Sequence, residues 1–170
     1  MPHPHWLTRL LTWLTGSRVP RSILRQHTLE LTPFAPLPTA GYLVGGAVRD
    51  ALLGQIPKDT DWLVPDPQAE AVNAADVLVG SVFAIDETRN VWRVVHENDG
   101  QQVVRDYVPL ELDVHTDLSK RDFTINAMAV DLDGNILDPL GGRRDLVHQT
   151  VRMVAAANVH ADPLRLLRGV

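Results

Sequence analysis

The chain has 170 residues, of which 45% are hydrophobic and 22% charged, values typical of a globular domain with its own core. It contains no cysteine, which excludes disulfides and thiolate metal sites, and its net charge of −5 argues against broad electrostatic binding of nucleic acid by this chain alone. No apolar run reaches the ~18 residues that a membrane span requires, so we expect no membrane association.

Residues 1–39 are predicted to form an N-terminal extension. Apolar residues repeat at helical spacing between Trp6 and Leu14, and the first acidic residue is Glu30. This acid-poor, arginine-containing character is also found in transit peptides. We therefore expect an extra helix that packs on the domain of a cytoplasmic protein, with an organellar targeting segment as the alternative.

The main pattern begins at Gly41 and mixes strand-like and helix-like segments. The predicted strands are Tyr42–Val44, Asp61–Val64, Val82–Asp86, Val91–His96, Val103–Val108, Val130–Leu132 and Asn135–Leu137. The predicted helices are Ala47–Leu53, Pro67–Val79, Asp117–Ala129, Gly142–Gln149 and Val159–Leu167. The fold class is therefore α/β or α+β, with a mixed sheet flanked by helices.

Gly45 and Gly46 stand between a predicted strand and a predicted helix. A glycine pair at such a turn lets the backbone approach a phosphate without a Cβ clash, and the helix N-terminus offers N–H donors to the anion. Arg49, one turn into the helix, is placed to point a guanidinium at the same phosphates. A plain tight turn explains the glycine pair equally well when it is considered alone.

Asp59 and Asp61 are spaced so that, on a strand, both side chains point to the same face. Two such carboxylates can hold two divalent cations, and oxygen ligands favour Mg²⁺ or Mn²⁺. The alternative is a solvated turn after Pro57. Because Asp61 leads directly into a buried strand, where an unpaired carboxylate is costly, we favour a metal site that binds two Mg²⁺ ions.

Five segments in this order resemble the head domain of the class II tRNA nucleotidyltransferase and bacterial poly(A) polymerase family, within the polymerase-β-like nucleotidyltransferase superfamily. The resemblance covers roughly residues 41–168. The segments are Gly45–Asp50, Asp59–Asp61, Arg121–Ala129, Asp138–Leu146 and Asp162–Arg168. The resemblance implies a nucleotidyltransferase fold, with the last two segments acting as hinge and base-reading motifs.

The segment Arg121–Ala129 is nearly identical to the ribose-recognition motif of that family. The resemblance implies that Arg121 and Asp122 contact the sugar hydroxyls of the nucleotide and that Asn126 supports this contact. From the residues alone, a helix N-terminus with ordinary capping is the alternative.

Asp162 and Arg165 resemble the base-reading pair of the family, and their i,i+3 spacing places them on one helix face. A carboxylate and a guanidinium placed in this way match the amino-plus-acceptor edge that cytosine and adenine share. A solvated salt bridge is the alternative. Ala161 stands where the family usually has a glutamate, so base selectivity is less firmly implied than sugar recognition.

Family geometry also implies a third catalytic carboxylate on a neighbouring strand. Asp106 is the candidate, flanked in the alternation by Val104 and Val108, with Glu111 as the substitute. The stretch from Asp106 to Arg121 is shorter than the corresponding loop of CCA-adding members, which indicates addition of CC.

The resemblance implies a tRNA nucleotidyltransferase head that uses Mg²⁺ to transfer CMP or AMP from CTP or ATP to the 3′ end of tRNA. A poly(A) polymerase of the same family and a non-catalytic nucleotide-binding module are the alternatives. The predicted organisation is an extension at 1–39, a head domain at 40–155 and the start of a neck helix at 156–170, so we expect the chain to be a fragment or a minimal head that needs a partner.

Overall fold

A seven-stranded mixed sheet organises the protein; the computed structural model describes residues 19–161, and side chains up to residue 158. The strands are β1 (Tyr42–Val44), β2 (Asp59–Val64), β3 (Ser81–Asp86), β4 (Val91–Asn98), β5 (Gln101–Pro109), β6 (Ala129–Asp131) and β7 (Ile136–Leu137). The helices are α1 (Gly46–Leu52), α2 (Pro67–Leu78), α3 (Val114–Ser119), α4 (Gly142–Val147) and α5 (Ala156–Ala161), with short 3₁₀ segments at Arg21–Arg25, Thr32–Phe34 and Thr124–Asn126.

The strand order is β3-β4-β5-β2-β1-β6-β7. The only parallel pair among the described strands is β2 with β5, which pairs Asp61 with Asp106. β4 and β5 form the predicted hairpin, and its two-residue turn has positive φ at Asp99 (51°) and Gly100 (72°), as the tightest hairpins require. This turn fixes the register that sets Arg93 opposite Asp106.

The main core lies on one face of the sheet, under α1 and α2. Leu43, Trp62 and Tyr107 from the strands are buried there, together with Val48 of α1 and the alanine-rich side of α2. Asp66 begins α2, because its side chain accepts a hydrogen bond from the Ala69 N–H and Pro67 occupies the first helical position.

The described part of the N-terminal extension belongs to this same core. Ile23, Leu31 and Phe34 are buried against the sheet. Arg105 projects into this core from β5, and its guanidinium donates to the carbonyl oxygens of Phe34 (2.9 Å), Pro36 (2.8 Å) and Ala35 (2.6 Å). Residues 19–39 are therefore held to the sheet by apolar packing and by one buried arginine.

A smaller core lies on the opposite face. It joins Val44 and Leu63 of the strands to Val114 and Leu118 of α3 and to Ala129 of β6. This packing places α3 beside the carboxyl end of β5, so that the loops around α3 border the same face of the sheet as the aspartates of β2.

The predicted helix Asp117–Ala129 is wrong. The helix ends at Ser119, Phe123 is extended (φ −120°, ψ 150°), and Ala129 lies in β6. Phe123 forms a β-bridge with Met153, and the Thr124 N–H donates to the Arg152 carbonyl. Pairing with residues 152–154 therefore satisfies the backbone groups that a continuous helix would have used.

Other predicted elements exist with shifted ends. β2 begins at Asp59 rather than at Asp61, and α4 ends at Val147 rather than at Gln149. The predicted helix Trp6–Leu14 lies outside the described residues, as does most of the predicted helix Val159–Leu167; in the described part, α5 begins at Ala156. None of the helices within residues 19–161 is long and apolar enough to cross a membrane.

Candidate active site

Three aspartates share one face of the sheet at its centre. Asp59 and Asp61 are at i and i+2 of β2, and Asp106 is the cross-strand partner of Asp61. Side chains at i and i+2, and those directly paired across strands, project to the same face. We call Asp59, Asp61 and Asp106 the carboxylate row.

Asp106 is bound by an arginine of the next strand. Nε and Nη2 of Arg93 donate to Oδ1 and Oδ2 of Asp106, both at 2.7 Å, in a two-point ion pair. The pKa of Arg93 is raised, first by the hydrogen bond to Asp106 and further by the charges of Asp106, Asp59 and Asp61, against the opposing effect of desolvation. The negative charges of the row thus stabilise this guanidinium.

Gly45 lies where a side chain cannot be accommodated. Its φ is 78°, and a Cβ built on it would lie 2.6 Å from Nη1 of Arg121 and 3.2 Å from Oδ2 of Asp61. The bare backbone of Gly45 therefore fills the gap between a carboxylate of the row and a guanidinium. Gly46 follows at the start of α1. A Cβ built on Gly46 would lie 3.4 Å from Nη2 of the Arg49 guanidinium.

Arg49 and Asn126 connect α1 to the loop after α3. Nη1 of Arg49 donates to Oδ1 of Asn126 at 2.6 Å, and Nδ2 of Asn126 donates to Oδ1 of Asp122 at 3.1 Å. Asp122 is buried and also accepts from the Phe123 N–H at 2.7 Å, while Asp50 pairs with Arg49 at 2.8 Å. An irregular turn, rather than the predicted helix, brings Asp122 and Asn126 within hydrogen-bonding distance.

Arg121 is oriented by the last turn of α3. Its Nε donates to Oδ2 of Asp117 at 2.9 Å, an i,i+4 ion pair. Asp113 begins α3 by accepting from the Thr116 N–H (2.9 Å) and hydroxyl (2.6 Å). These two hydrogen bonds lower the pKa of the Asp113 carboxyl, so that its ionised form supports the helix that holds Arg121.

A cleft of about 840 Å³ opens between these elements. Six of the predicted site residues line it: Gly46, Arg49, Asp61, Arg121, Asp122 and Asn126. The remaining lining residues come from two stretches of the chain. These are residues 88–91, at the β3–β4 turn and the start of β4, and residues between 108 and 120. The cleft is therefore lined by a carboxylate of the row and by two arginines, which suits a metal-bound polyphosphate.

The donor set fits magnesium in chemistry. Asp59 and Asp61 offer oxygen ligands on one face, with Gly45 beside Asp61 leaving space for a small, hydrated cation. Within residues 19–161, no three acidic or histidine side chains come together in a group that could hold a metal ion. Asp106 is turned to Arg93 and does not complete such a group with Asp59 and Asp61.

The remaining candidates lie apart from the row. Glu111, the predicted substitute for Asp106, is exposed on the rim of the cleft, 3.4 Å from Nζ of Lys120. Asp162 and Arg165 lie outside the described residues.

Sequence reasoning missed Arg93 and Asp117. Arg93 carried a signal, because counting outward from the predicted hairpin turn pairs position 98 with 101 and therefore 93 with 106. Asp117 carried a weaker signal, its i,i+4 spacing to Arg121 at the start of the segment that was predicted to be a long helix.

A family model of the poly(A) polymerase head domain matches residues 41–152. This range contains the carboxylate row, the glycine pair and the arginines of the cleft. The chain belongs to this family. The predicted resemblance is thereby confirmed, and so is the mixed-sheet nucleotidyltransferase fold.

Two curated relatives are tRNA nucleotidyltransferases by name. An A-adding tRNA nucleotidyltransferase of Deinococcus radiodurans is 45% identical over 136 residues, which cover 80% of this chain and 30% of the relative. A CC-adding tRNA nucleotidyltransferase of Synechocystis is 40% identical over 146 residues, covering 82% and 34%. The chain thus spans about a third of the length of the curated relatives that it matches.

Solved structures of the family share the fold. A CCA-adding enzyme in complex with ATP superposes with a TM-score of 0.65 at 34% identity, covering 76% of this chain and 32% of that one. A Thermotoga maritima CCA-adding enzyme in complex with tRNA gives a TM-score of 0.68 at 30% identity, covering 96% and 39%.

Proposed function

We propose that this chain is the catalytic head of a tRNA nucleotidyltransferase, which transfers CMP or AMP from CTP or ATP to the 3′ end of tRNA. The observation that carries the proposal is the cleft. It gathers Asp61 of β2, Arg49 of α1 and Arg121 after α3 around one space, although these residues come from distant parts of the sequence.

The relatives support this choice of substrate. Those cited above are named as A-adding and CC-adding tRNA nucleotidyltransferases, and the solved structures include complexes with ATP and with tRNA. The short stretch between Asp106 and Arg121 favours CC addition among these outcomes.

Asp59 and Asp61 hold the divalent ions in this proposal. Magnesium, when bound, supplies a lowered pKa of the attacking 3′-hydroxyl and neutralisation of the triphosphate. Arg49 and Arg121 contact the phosphates in this proposal, and their ion pairs with Asp50 and Asp117 fix the two guanidiniums before the nucleotide arrives.

Asp122 and Asn126 lie at the back of the cleft and contact the ribose in this proposal. Their mutual hydrogen bond, and that of Asn126 with Arg49, hold the amide and carboxylate in fixed orientations. Asp162 and Arg165 read the base in this proposal.

The test compares the protein with its Asp59→Asn/Asp61→Asn variant, using a tRNA lacking its 3′ CCA. We expect magnesium-dependent incorporation of CMP or AMP by the wild type, and a loss of at least about a thousandfold in the variant, since the metal and its charge stabilisation are removed. Undiminished transfer by the variant would disprove the metal assignment.

A poly(A) polymerase is the second candidate, favoured by the description of the matching family model. Incubation with ATP alone distinguishes the two, because a poly(A) polymerase makes long tails whereas a tRNA nucleotidyltransferase adds at most a few nucleotides. A protein that binds Mg²⁺-ATP and extends no RNA would instead be a nucleotide-binding module.

A further inference from the structure

Arg93 has no place in the nucleotide contacts described so far, yet it makes the strongest contact to the carboxylate row. Both oxygens of Asp106 accept from its guanidinium at 2.7 Å. Its side chain is 37% exposed, against 19% for Asp106, and it lies beside the row on the neighbouring strand.

The position of Arg93 is dictated by the sheet. The hairpin places it opposite Asp106, and Asp106 is opposite Asp61, so the three residues form one line across β4, β5 and β2. Three carboxylates on adjacent positions of one face repel one another unless a cation lies among them. Arg93 contributes such a cation through its ion pair with Asp106.

Resting on the metal site of the proposed function, we infer that Arg93 is a positioning residue that serves as a counter-cation of the carboxylate row in the metal-free protein. It holds Asp106 apart from Asp59 and Asp61, and Mg²⁺ competes with it for the row. Arg93 thereby sets the magnesium concentration at which the row takes up metal, while the row remains stable in its absence.

Replacement of the charge tests the inference. In this 170-residue chain, the Arg93→Met variant should bind Mg²⁺ more tightly, because a nearby positive charge no longer opposes the metal. The Mg²⁺ concentration at half-saturation, measured by calorimetric titration, should fall on the order of three- to tenfold. In EDTA the variant should melt below the wild type, and saturating Mg²⁺ should close the gap. Half-saturation at an equal or higher concentration than in the wild type would overturn the inference.

Two further variants separate charge from shape. Arg93→Lys keeps the charge and loses the two-point fork, so its half-saturation should stay within about twofold of the wild type. Arg25→Met makes the same change in net charge on the first 3₁₀ segment, where the side chain is exposed and does not line the cleft, and should also leave half-saturation nearly unchanged. A shift in either variant as large as in Arg93→Met would contradict the inference.

The unaltered protein provides an independent measurement. In a magnesium titration followed by NMR, the Nε–Hε resonance of Arg93 should move, and that of Arg105, on the other face of the sheet, should stay fixed. An immobile Arg93 resonance in a protein that binds Mg²⁺ would refute the competition. Failure of the metal site itself looks different: the wild type would then bind no Mg²⁺, or Asp59→Asn/Asp61→Asn would bind it as well as the wild type.

Discussion

At the scale of single residues, Gly45 shows how closely the side chains of the site pack around the backbone. A Cβ at this position would meet both Arg121 and Asp61, and the positive φ is one that side chains rarely adopt. A side chain at position 45 would push the Asp61 carboxylate and the Arg121 guanidinium apart, so the arrangement of charges in the site depends on glycine at this position.

Gly45→Ala tests this directly. We expect a loss of about 1–3 kcal/mol in the free energy of unfolding from backbone strain and the clash with Arg121, together with weaker binding of CTP or ATP. Equilibrium denaturation and nucleotide titration measure the two effects.

Gly54→Ala is the matched control for that variant. Gly54 has a similar φ of 74°, but a Cβ there would meet nothing within 4 Å. It should therefore share the strain and spare nucleotide binding. Equal loss of nucleotide affinity in both variants would show that the close approach at Gly45 is unimportant.

Asp113 links protonation to the helix that orients Arg121. Its pKa is lowered in the folded state by the hydrogen bonds from Thr116, so its ionised form stabilises the protein above the unfolded pKa, and this contribution is lost as pH falls through the folded value. Asp113→Ala should therefore be less stable than the wild type near pH 7. The difference should shrink below pH ~4, as chemical denaturation across pH will show. A gap that is constant with pH would contradict this role.

At the scale of elements, the segment at residues 117–129 shows where sequence reasoning reaches its limit. Its composition favours a helix, yet the chain leaves the helix at Ser119 and pairs Phe123 with Met153. That pairing depends on a strand partner about thirty residues away along the chain, which no local pattern contains. The hairpin of β4 and β5, by contrast, was predicted, because its turn residues and its register are both local.

The same distinction applies to the site. The aspartates of β2 and the glycine turn follow from spacing along one segment, whereas the two ion pairs that orient the site residues depend on how segments meet. Asp106 was placed correctly on β5, but its partner was not foreseen, because strand pairing rather than sequence spacing brings Arg93 to it.

Arg105 is the buried link between β5 and the N-terminal segment. Burial lowers its pKa, against the effect of nearby Tyr107, and three carbonyl oxygens accept its hydrogen bonds. Arg105→Met should lower the free energy of unfolding by about 2–5 kcal/mol, because charge-assisted hydrogen bonds are lost and buried carbonyls are left without donors.

Arg89→Met serves as the control, with an expected change within about 0.5 kcal/mol because its side chain is exposed. Limited proteolysis should also cleave residues 33–38 sooner in Arg105→Met than in the wild type. Unchanged cleavage would show that this arginine does not anchor the segment.

At the scale of the whole molecule, residues 19–39 of the N-terminal extension contribute side chains to the main core. A chain that begins at residue 40 loses Ile23, Leu31 and Phe34, each worth roughly 1.5–3 kcal/mol of burial. That sum approaches the net stability of about 5–15 kcal/mol of a typical domain.

We therefore expect the chain that begins at residue 40 to lack a cooperative thermal transition, measured by circular dichroism. A chain that begins at residue 19 should retain it. A cooperative transition in the shorter chain, at the melting temperature of the longer one, would show that the first 39 residues are dispensable for folding.

Arg105 and Asp106 are consecutive residues that face opposite sides of one strand. The first is fastened to the N-terminal segment and the second belongs to the carboxylate row. If β5 slid by one position, the two would exchange faces, burying an acid and exposing a base. By binding Arg105, the carbonyls of residues 34–36 thus help to fix the register of β5, and with it the position of Asp106 on the other face of the sheet. A substitution in residues 34–36 can therefore misalign the site although these residues do not contact it.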